Sequence, residues 1–373
     1  MLAHIALVGS RVTTSLYALS LHASQFSIGI LIALFSLFPM LFAVQVGRLI
    51  DRVGIARPMI FGALFMGLGC TIPSLLDGLS VLYFAVPLIG LGFLAIHVSV
   101  QHAVGTLSTK ETRASYFSQM AVAYSTSSFS GPVIVGFVID HARHSIAYTV
   151  LGGFVSLTML LILFGRLDRF KLVLRIREHS SESIFDLLRD REMRPIYMIS
   201  VLLGSAWDLF NFVMPIHGSQ LGFSASTIGL ILGGFSASTF AVRLAMGWIS
   251  RRYSEWHVLT TALAMAVICF GLFPFMEHLA SIMVVTVVLG FALGSSQPNV
   301  LALLHHASPE GRAGEAVGIR VTMSNACQVA MPLAFGAAGA TLGLFAVFWG
   351  MGAMLGTGVP LAWRKASAEL QKN

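Results

Sequence analysis

Apolar residues come in runs of about 20, the length that carries an α-helix across the hydrocarbon core of a bilayer, separated by short stretches of charge, proline and glycine. In the first half of the chain these runs cover 3–21, 28–46, 58–76, 81–104, 116–139 and 146–165. A polar stretch, 166–194, intervenes, and six further runs follow at 195–214, 227–246, 257–276, 282–304, 317–340 and 342–363. The pattern predicts an all-α integral membrane protein with twelve transmembrane helices in two pseudo-symmetric six-helix bundles, 1–165 and 195–363. The stretch 166–194 is the linker between them, and 364–373 is a tail. Within the linker, Ile184, Leu187 and Leu188 among charges fit either a short amphipathic helix at the membrane surface or a solvated connector.

Composition removes the soluble alternatives. Of 373 residues, 56% are hydrophobic and 10% are Asp, Glu, Lys or Arg, against about a quarter charged in a soluble domain. The excess of 23 basic over 16 acidic residues acquires meaning from its placement. If the segment with Arg48, Arg52 and Arg57 is cytoplasmic, so are Lys110, Arg113, the linker, Arg251, Arg252, Arg312 and the tail, while Arg143 alone lies outside. Retention of Lys and Arg on the cytoplasmic side therefore predicts both termini inside, in the plasma (inner) membrane. No basic run interleaved with aromatics lies outside a span, so nucleic acid is not an expected partner. Arg11 interrupts the first run, which speaks against a cleaved signal peptide. That run opens at the first residues, leaving room for a translation start further upstream. Cys70, Cys269 and Cys327 lie in apolar segments without paired spacing and read as packing residues. No metal or cofactor is expected.

A shift of 200 residues lays the second half over the first. Ile28-Gly29 falls on Ile228-Gly229, Phe35-Ser36 on Phe235-Ser236, Gly47 on Gly247, Arg52 on Arg252, Gly90 on Gly290, Pro132 on Pro332 and Gly136 on Gly336. Even spans per half make these parallel repeats about an axis along the membrane normal, the arrangement of secondary transporters that open a midplane site alternately to either side.

Between spans two and three the chain reads Gly47-Arg48-Leu49-Ile50-Asp51-Arg52-Val53-Gly54. Gly47 permits close helix approach, Asp51 suits a helix N-terminus or a charge-assisted hydrogen bond, and Gly54 permits a turn with positive φ. The segment resembles the signature loop of the major facilitator superfamily, with Gly47, Asp51, Arg52 and Gly54 at the motif positions and Ile55-Ala56 intervening before the next basic residue. A degenerate copy, Gly247-Trp248-Ile249-Ser250-Arg251-Arg252, has Arg251 in place of the acid. In span five, Gly131, Pro132 and Gly136 are similar to the Gly-Pro motif of the superfamily's antiporters, although Ser118, Ser127 and Val135 stand where that motif has further glycines. An ordinary structural kink explains the same residues. Span four has Gly90-Leu91-Gly92 but Val86 at the position of the family's arginine, so coupling through that arginine is not available. The resemblance covers the whole chain and implies a twelve-span transporter of the efflux type.

The resemblance also places spans one, four, seven and ten around a central cavity, where ionisable groups are costly and functional. Asp208 is the one acid deep in a span. Arg11 falls on Asn211 in the repeat frame, one turn from Asp208, so Arg11 and Asp208 are expected on facing lobes, either as a proton-coupling pair or as a static ion pair. His97 and Gln101 share a face of span four, and His97 falls on Gln297, next but one to Asn299. These are expected to bind solute or to pack. Tyr17 and Trp207 could stack on an aromatic solute or serve as packing. Arg243 and Arg320 lie near span ends, where snorkelling explains them.

Other classes fit poorly. None of the lysines follows a glycine, so there is no phosphate-binding P-loop, and HExxH and GxSxG are both absent. A non-transporting sensor would need a signalling domain for which no loop has room. The sequence predicts a monomeric, proton-coupled exporter of a small organic solute in the lipid bilayer, with proton-coupled uptake of an organic anion at Arg11 as the alternative.

Overall fold

A computed structural model of the chain describes residues 1–107, 113–165, 184–309 and 312–370. Lys110, Lys372 and the linker up to residue 183 lie outside the described residues, as does the side chain of Arg113. Among the described residues there are helices and turns and no strand.

The first half holds α1 (Leu2–Ser20), α2 (Gln25–Val53), α3 (Ala56–Leu75), α4 (Leu79–Leu107), α5 (Arg113–His141) and α6 (His144–Phe164). After the short α7 (Ile184–Arg189) come α8 (Met193–Gln220), α9 (Ala225–Ile249), α10 (Glu255–Leu272), α11 (Leu279–Ala307) and α12 (Ala313–Leu370). The last is broken at Gly343, whose φ of 81° and ψ of 170° divide it into two arms. With those arms counted separately, the described residues hold twelve long helices, six per half, as the hydrophobic pattern predicts. Ten helices, α12 counted once, meet the length and hydropathy needed to cross a membrane by themselves. The polar residues around Arg11 leave α1 outside that set.

Several helices outrun the predicted spans because local capping, and not the end of hydrophobicity, stops them. α2 begins where the Ser24 hydroxyl accepts the Ser27 N–H at 3.1 Å. It continues past residue 46 through the whole signature segment and ends at Gly54, which has φ 80° and donates its N–H to the Ile50 carbonyl. The signature segment is thus helix up to Val53, and the loop is reduced to Gly54 and Ile55. α8 is started by Asp190, whose carboxylate accepts the N–H groups of Glu192 and Met193 at 2.8 and 2.9 Å. The linker does form a helix at Ile184–Arg189, with Leu187 buried and Asp186 exposed.

Two compact units emerge, one comprising Met1–Arg177 with Met214–Gly233, the other Glu178–Val213 with Gly234–Asn373. In the first, α3 packs against α4 and α6, and α1 against α5 and α6. The Thr14 and Tyr148 hydroxyls lie 2.7 Å apart in its core. In the second, α10 packs against α11 and α12, and the Phe273 and Phe348 rings stack at 5.5 Å. Lys365 at the end of α12 donates to Glu192 at the start of α8 at 2.6 Å.

The repeat seen in the sequence is a repeat of packing. A Cβ on Gly90 would meet the Phe35 carbonyl, and a Cβ on Gly290 would meet the Phe235 carbonyl and Ser238. Bringing backbones this close maximises van der Waals contact where no hydrophobic force acts between helices in lipid. Gly47 behaves otherwise. A Cβ there would meet nothing within 4 Å, so the expected close approach at Gly47 is corrected: the glycine lies on an open face of a continuous helix.

Candidate functional site

In the first unit, polar residues of α1, α4 and α5 converge on the half of the bundle nearest the signature segment. His97 Nδ1 and the Tyr124 hydroxyl are 2.7 Å apart, and the Gln101 amide nitrogen is 3.0 Å from His97 Nε2. His97 therefore has a partner on both ring nitrogens, which fixes its orientation. His4 tilts against Tyr124 at 4.7 Å and Phe93 at 5.6 Å, and Phe93 stacks on His97 at 5.3 Å. His4, Phe93, His97 and Tyr124, with Tyr116, Gln119 and Met120, line a cavity of ≈310 Å³, about the lower size of a small-molecule site. Of the expected pair, His97 thus stands in a cavity wall and Gln101 lies behind it as its hydrogen-bond partner, while His4 and Tyr124, which span periodicity did not single out, join the wall.

Arg11 lies on the neighbouring stretch of α1. Its guanidinium donates to the Ser36 hydroxyl at 2.9 Å and sits 5.7 Å from the Phe35 ring centroid, within cation–π range. Tyr17 is turned elsewhere. Its hydroxyl donates to Asp77 at 2.8 Å and accepts the Gly78 N–H at 3.2 Å, while its ring stacks on His144 at 5.1 Å. Tyr17 thereby secures the α3–α4 turn.

The α5 motif is a contact surface on two sides. A Cβ on Gly131 would stand 3.1 Å from the Ile5 carbonyl oxygen of α1. Cβ atoms on Gly136 and Gly229 would run into the Ala225 and Pro132 carbonyls, so the first turns of α9, within this same unit, lie backbone to backbone with α5. Beyond Gly136, the Asp140 carboxylate accepts the N–H groups of Ala225 and Ser226 at 2.9 and 2.8 Å and caps α9. At the other end of the bundle, Asp51 of the signature segment is 3.9 Å from His102 Nδ1 on α4, and Arg52 lies in the last turn of α2.

In the second unit α8, α9 and α11 meet around Trp207. Its ring contacts Phe235 edge-on at 4.8 Å and lies 5.9 Å from the Arg243 guanidinium, which donates to Gln297 Oε1 at 3.1 Å. Snorkelling therefore does not describe Arg243, which is tied to two of the expected cavity residues. Asp208 is half-buried one position from Trp207, and Cys327 of α12 lies beside Ser205 within electrostatic reach of it. The Asn211 and Asn299 amides donate to the Trp207 and Ser295 carbonyls of their own helices at 2.8 and 2.7 Å. Asn299 is 3% exposed, so it satisfies backbone inside the bundle and does not face an opening. Among the described residues no cluster of His, Cys, Asp or Glu could hold a metal ion.

These features are a transporter's: paired helical repeats, polar groups within long apolar helices, and a signature segment at the end of the second helix. The family model described as the Major Facilitator Superfamily matches residues 2–332, and again 196–373. The chain belongs to the major facilitator superfamily. The second match falls on the second repeat. Membership makes the protein a transporter of small solutes and not an enzyme. Among curated relatives, Multidrug resistance protein 1 and Multidrug resistance protein 2 of Bacillus subtilis (strain 168) are each 23% identical over 297 residues, covering 76% of this chain and 73% of theirs. The superfamily fold extends to solved structures. A nucleoside transporter aligns with a TM-score of 0.80 at 12% identity, covering 97% of both chains. A POT family transporter in complex with a thioalcohol-conjugated peptide aligns at 0.80 and 10% identity, covering 99% of this chain and 95% of that one.

His4, Tyr124, Arg243, His102 and Asp140 are the polar participants that spacing arguments passed over. Only Arg243 carried a signal, as a charge within a span whose repeat-frame position is shared with Ala43. His4, His102 and Asp140 lie toward helix ends, where a polar residue is unremarkable, and Tyr124 lies within α5 as one aromatic residue among many.

Proposed function

We propose that the protein is a proton-coupled exporter of a small organic solute, working by alternating access as a monomer in the plasma membrane with both termini in the cytoplasm. The observation that carries export is the Gly131-Pro132 segment with Gly136. It holds α5 against α1 and the first turns of α9 at backbone distance, and it resembles the antiporter motif. The likeness to two proteins named for multidrug resistance supports the same direction. Asp208 is the candidate proton carrier, since a carboxyl group deep in a span can be neutral in one exposure and ionised in the other. The cavity beside His97 and Tyr124, walled by Phe93, Tyr116 and Met120, supports a solute with an apolar aromatic body and one or two hydrogen-bonding groups.

A second reading, uptake of an organic anion together with protons, is favoured by the balance of charge in the spans. Arg11, Arg243 and Arg320 stand against Asp208, and Arg243 donates to a neutral acceptor, Gln297. Membrane vesicles prepared in both orientations and loaded with a fluorescent solute panel decide between them. Export predicts accumulation in inverted vesicles when their lumen is acid, and collapse of accumulation by a protonophore. Accumulation confined to right-side-out vesicles with an acid exterior sinks export in favour of uptake.

A further inference from the structure

The second unit has a groove on its α9–α10–α11 side. It runs between α9, α10 and α11, floored by Val242, Thr261, Met265 and Phe291, and ends at Tyr253 in the α9–α10 turn and His257 in the first turn of α10. Its volume is ≈410 Å³. In the 200-residue register, Val242, Thr261 and Met265 stand where the first repeat has Phe42, Phe61 and Phe65.

The groove lies on a lipid-facing surface. On α9 the neighbouring Leu244 is 70% exposed and Trp248 57% exposed, and apolar side chains exposed on a membrane helix meet acyl chains. Tyr253 at the groove's mouth directly follows Arg251 and Arg252 in the chain, and the Arg252 guanidinium sits 4.6 Å from the Trp248 ring centroid, a grouping of aromatic and basic residues such as membrane interfaces favour.

The chemistry of that mouth comes from the degenerate signature copy. In the first repeat the acid Asp51 precedes Arg52 and faces His102 at 3.9 Å. In the second, Arg251 replaces the acid, so two arginines follow one another in the chain, both exposed. Among the described residues no carboxylate forms an ion pair with either. Glu255 is the one acid in the turn, placed in the first turn of α10 where the helix N-terminus favours it. The mouth keeps a net positive charge. His257 is anchored there, its Nδ1 2.8 Å from the Ser254 hydroxyl.

We propose that this groove is a site for an anionic glycerophospholipid, with one acyl chain lying along Thr261, Met265 and Phe291 and the phosphate held by Arg251 and Arg252. Basic pockets between membrane helices at the cytoplasmic surface bind anionic headgroups in this way. A free phosphate has no use for the apolar floor, and a neutral lipid has none for the paired arginines.

Native mass spectrometry of the full-length protein, titrated with phosphatidylglycerol and with phosphatidylcholine of identical chains, tests the assignment. The first lipid retained is expected to be phosphatidylglycerol, at about a tenfold lower concentration than phosphatidylcholine, a ratio equivalent to about 1.4 kcal/mol. Arg251→Gln with Arg252→Gln is expected to bring the two lipids within about twofold of each other. Thr261→Phe with Met265→Phe, which restores the bulk of the first repeat, is expected to lower retention of both. Equal retention of the two lipids by the unaltered protein overturns the proposal, as does a preference that survives loss of both arginines. Displacement of the lipid by equimolar glycerol 3-phosphate would reveal a soluble-phosphate site instead, and unchanged retention by the groove-filling variant would remove the acyl-chain seat. The arginine pair is exposed, so its variant decides the question even if the groove-filling variant does not fold.

Discussion

Asp140 at the end of α5 accepts the backbone N–H of Ser226 at 2.8 Å, and this capping contact joins two helices far apart in sequence. The same carboxylate also accepts the Ala225 N–H at 2.9 Å. An N-cap of this kind contributes about 1 kcal/mol, and here it sits one turn beyond the close approach of Gly136 to Ala225. Asp140→Ala is expected to lower the thermal midpoint of the solubilised protein, and Asp140→Asn to recover about half the loss because its amide oxygen still accepts. A cysteine at Ser224 should react faster with an impermeant maleimide in the alanine variant. Unchanged labelling together with an unchanged midpoint would show that the cap holds nothing in place.

The two glycines of the signature segment should separate cleanly. Gly54 has φ 80° and ψ −179°, a region open essentially to glycine, and a side chain there costs about 1–3 kcal/mol. Gly47 lies inside a helix with an open face, where alanine gains helix propensity. Gly54→Ala is therefore expected to destabilise, and Gly47→Ala to be neutral or mildly stabilising, in thermal unfolding. The opposite order would mean that the Gly47 face is covered by a neighbour.

Tyr124→Phe removes the hydroxyl 2.7 Å from His97 and keeps the ring against His4. Leaving a buried polar atom without its partner costs about 1–3 kcal/mol. If the cavity beside His97 holds solute, the apparent KM for transport should rise by about five- to a hundredfold while surface expression stays unchanged. A KM within twofold of the unaltered protein would assign the His97–Tyr124 contact to packing.

Asp208→Asn keeps the shape of the half-buried side chain and removes its proton exchange. Gradient-driven accumulation should disappear while solute exchange at equal pH persists, read in the same vesicles. Full gradient-driven activity in this variant would remove Asp208 as the coupling group.

Arg243 and Gln297 are joined at 3.1 Å across α9 and α11. Arg243→Gln and Gln297→Leu, singly and together, form a double-mutant cycle on solute affinity. A coupling of about 0.5–3 kcal/mol is expected for residues in one network. If the solute is an anion, Arg243→Gln should weaken an acidic solute far more than its neutral ester, and equal weakening of both would count against the anion reading.

The helical membrane fold with its twelve long helices, the 200-residue repeat and the superfamily were legible in the sequence, because the bilayer imposes a length and a hydrophobicity on each helix that no partner can relax. The same constraint made Arg11, Asp208, His97 and Trp207 conspicuous, since polar groups within spans are rare. Their contacts were not legible. Tyr17 and Trp207 were equivalent as aromatic residues within spans, yet Tyr17 secures a turn through Asp77 and Trp207 lies under Arg243. The difference is which way a helix is rotated, and α3, for example, has so even an apolar surface that its sequence fixes no rotation. Helix ends, too, were decided late: α2 runs on to Gly54 because a cap stops a helix, not the last apolar residue. The sequence by itself determined how many times the chain crosses the membrane and which charges remain inside it. Only the tertiary structure decided what each charge touches, because side-chain direction is set by close packing between helices, which depends on small residues such as Gly90 and Gly136 finding their backbone partners.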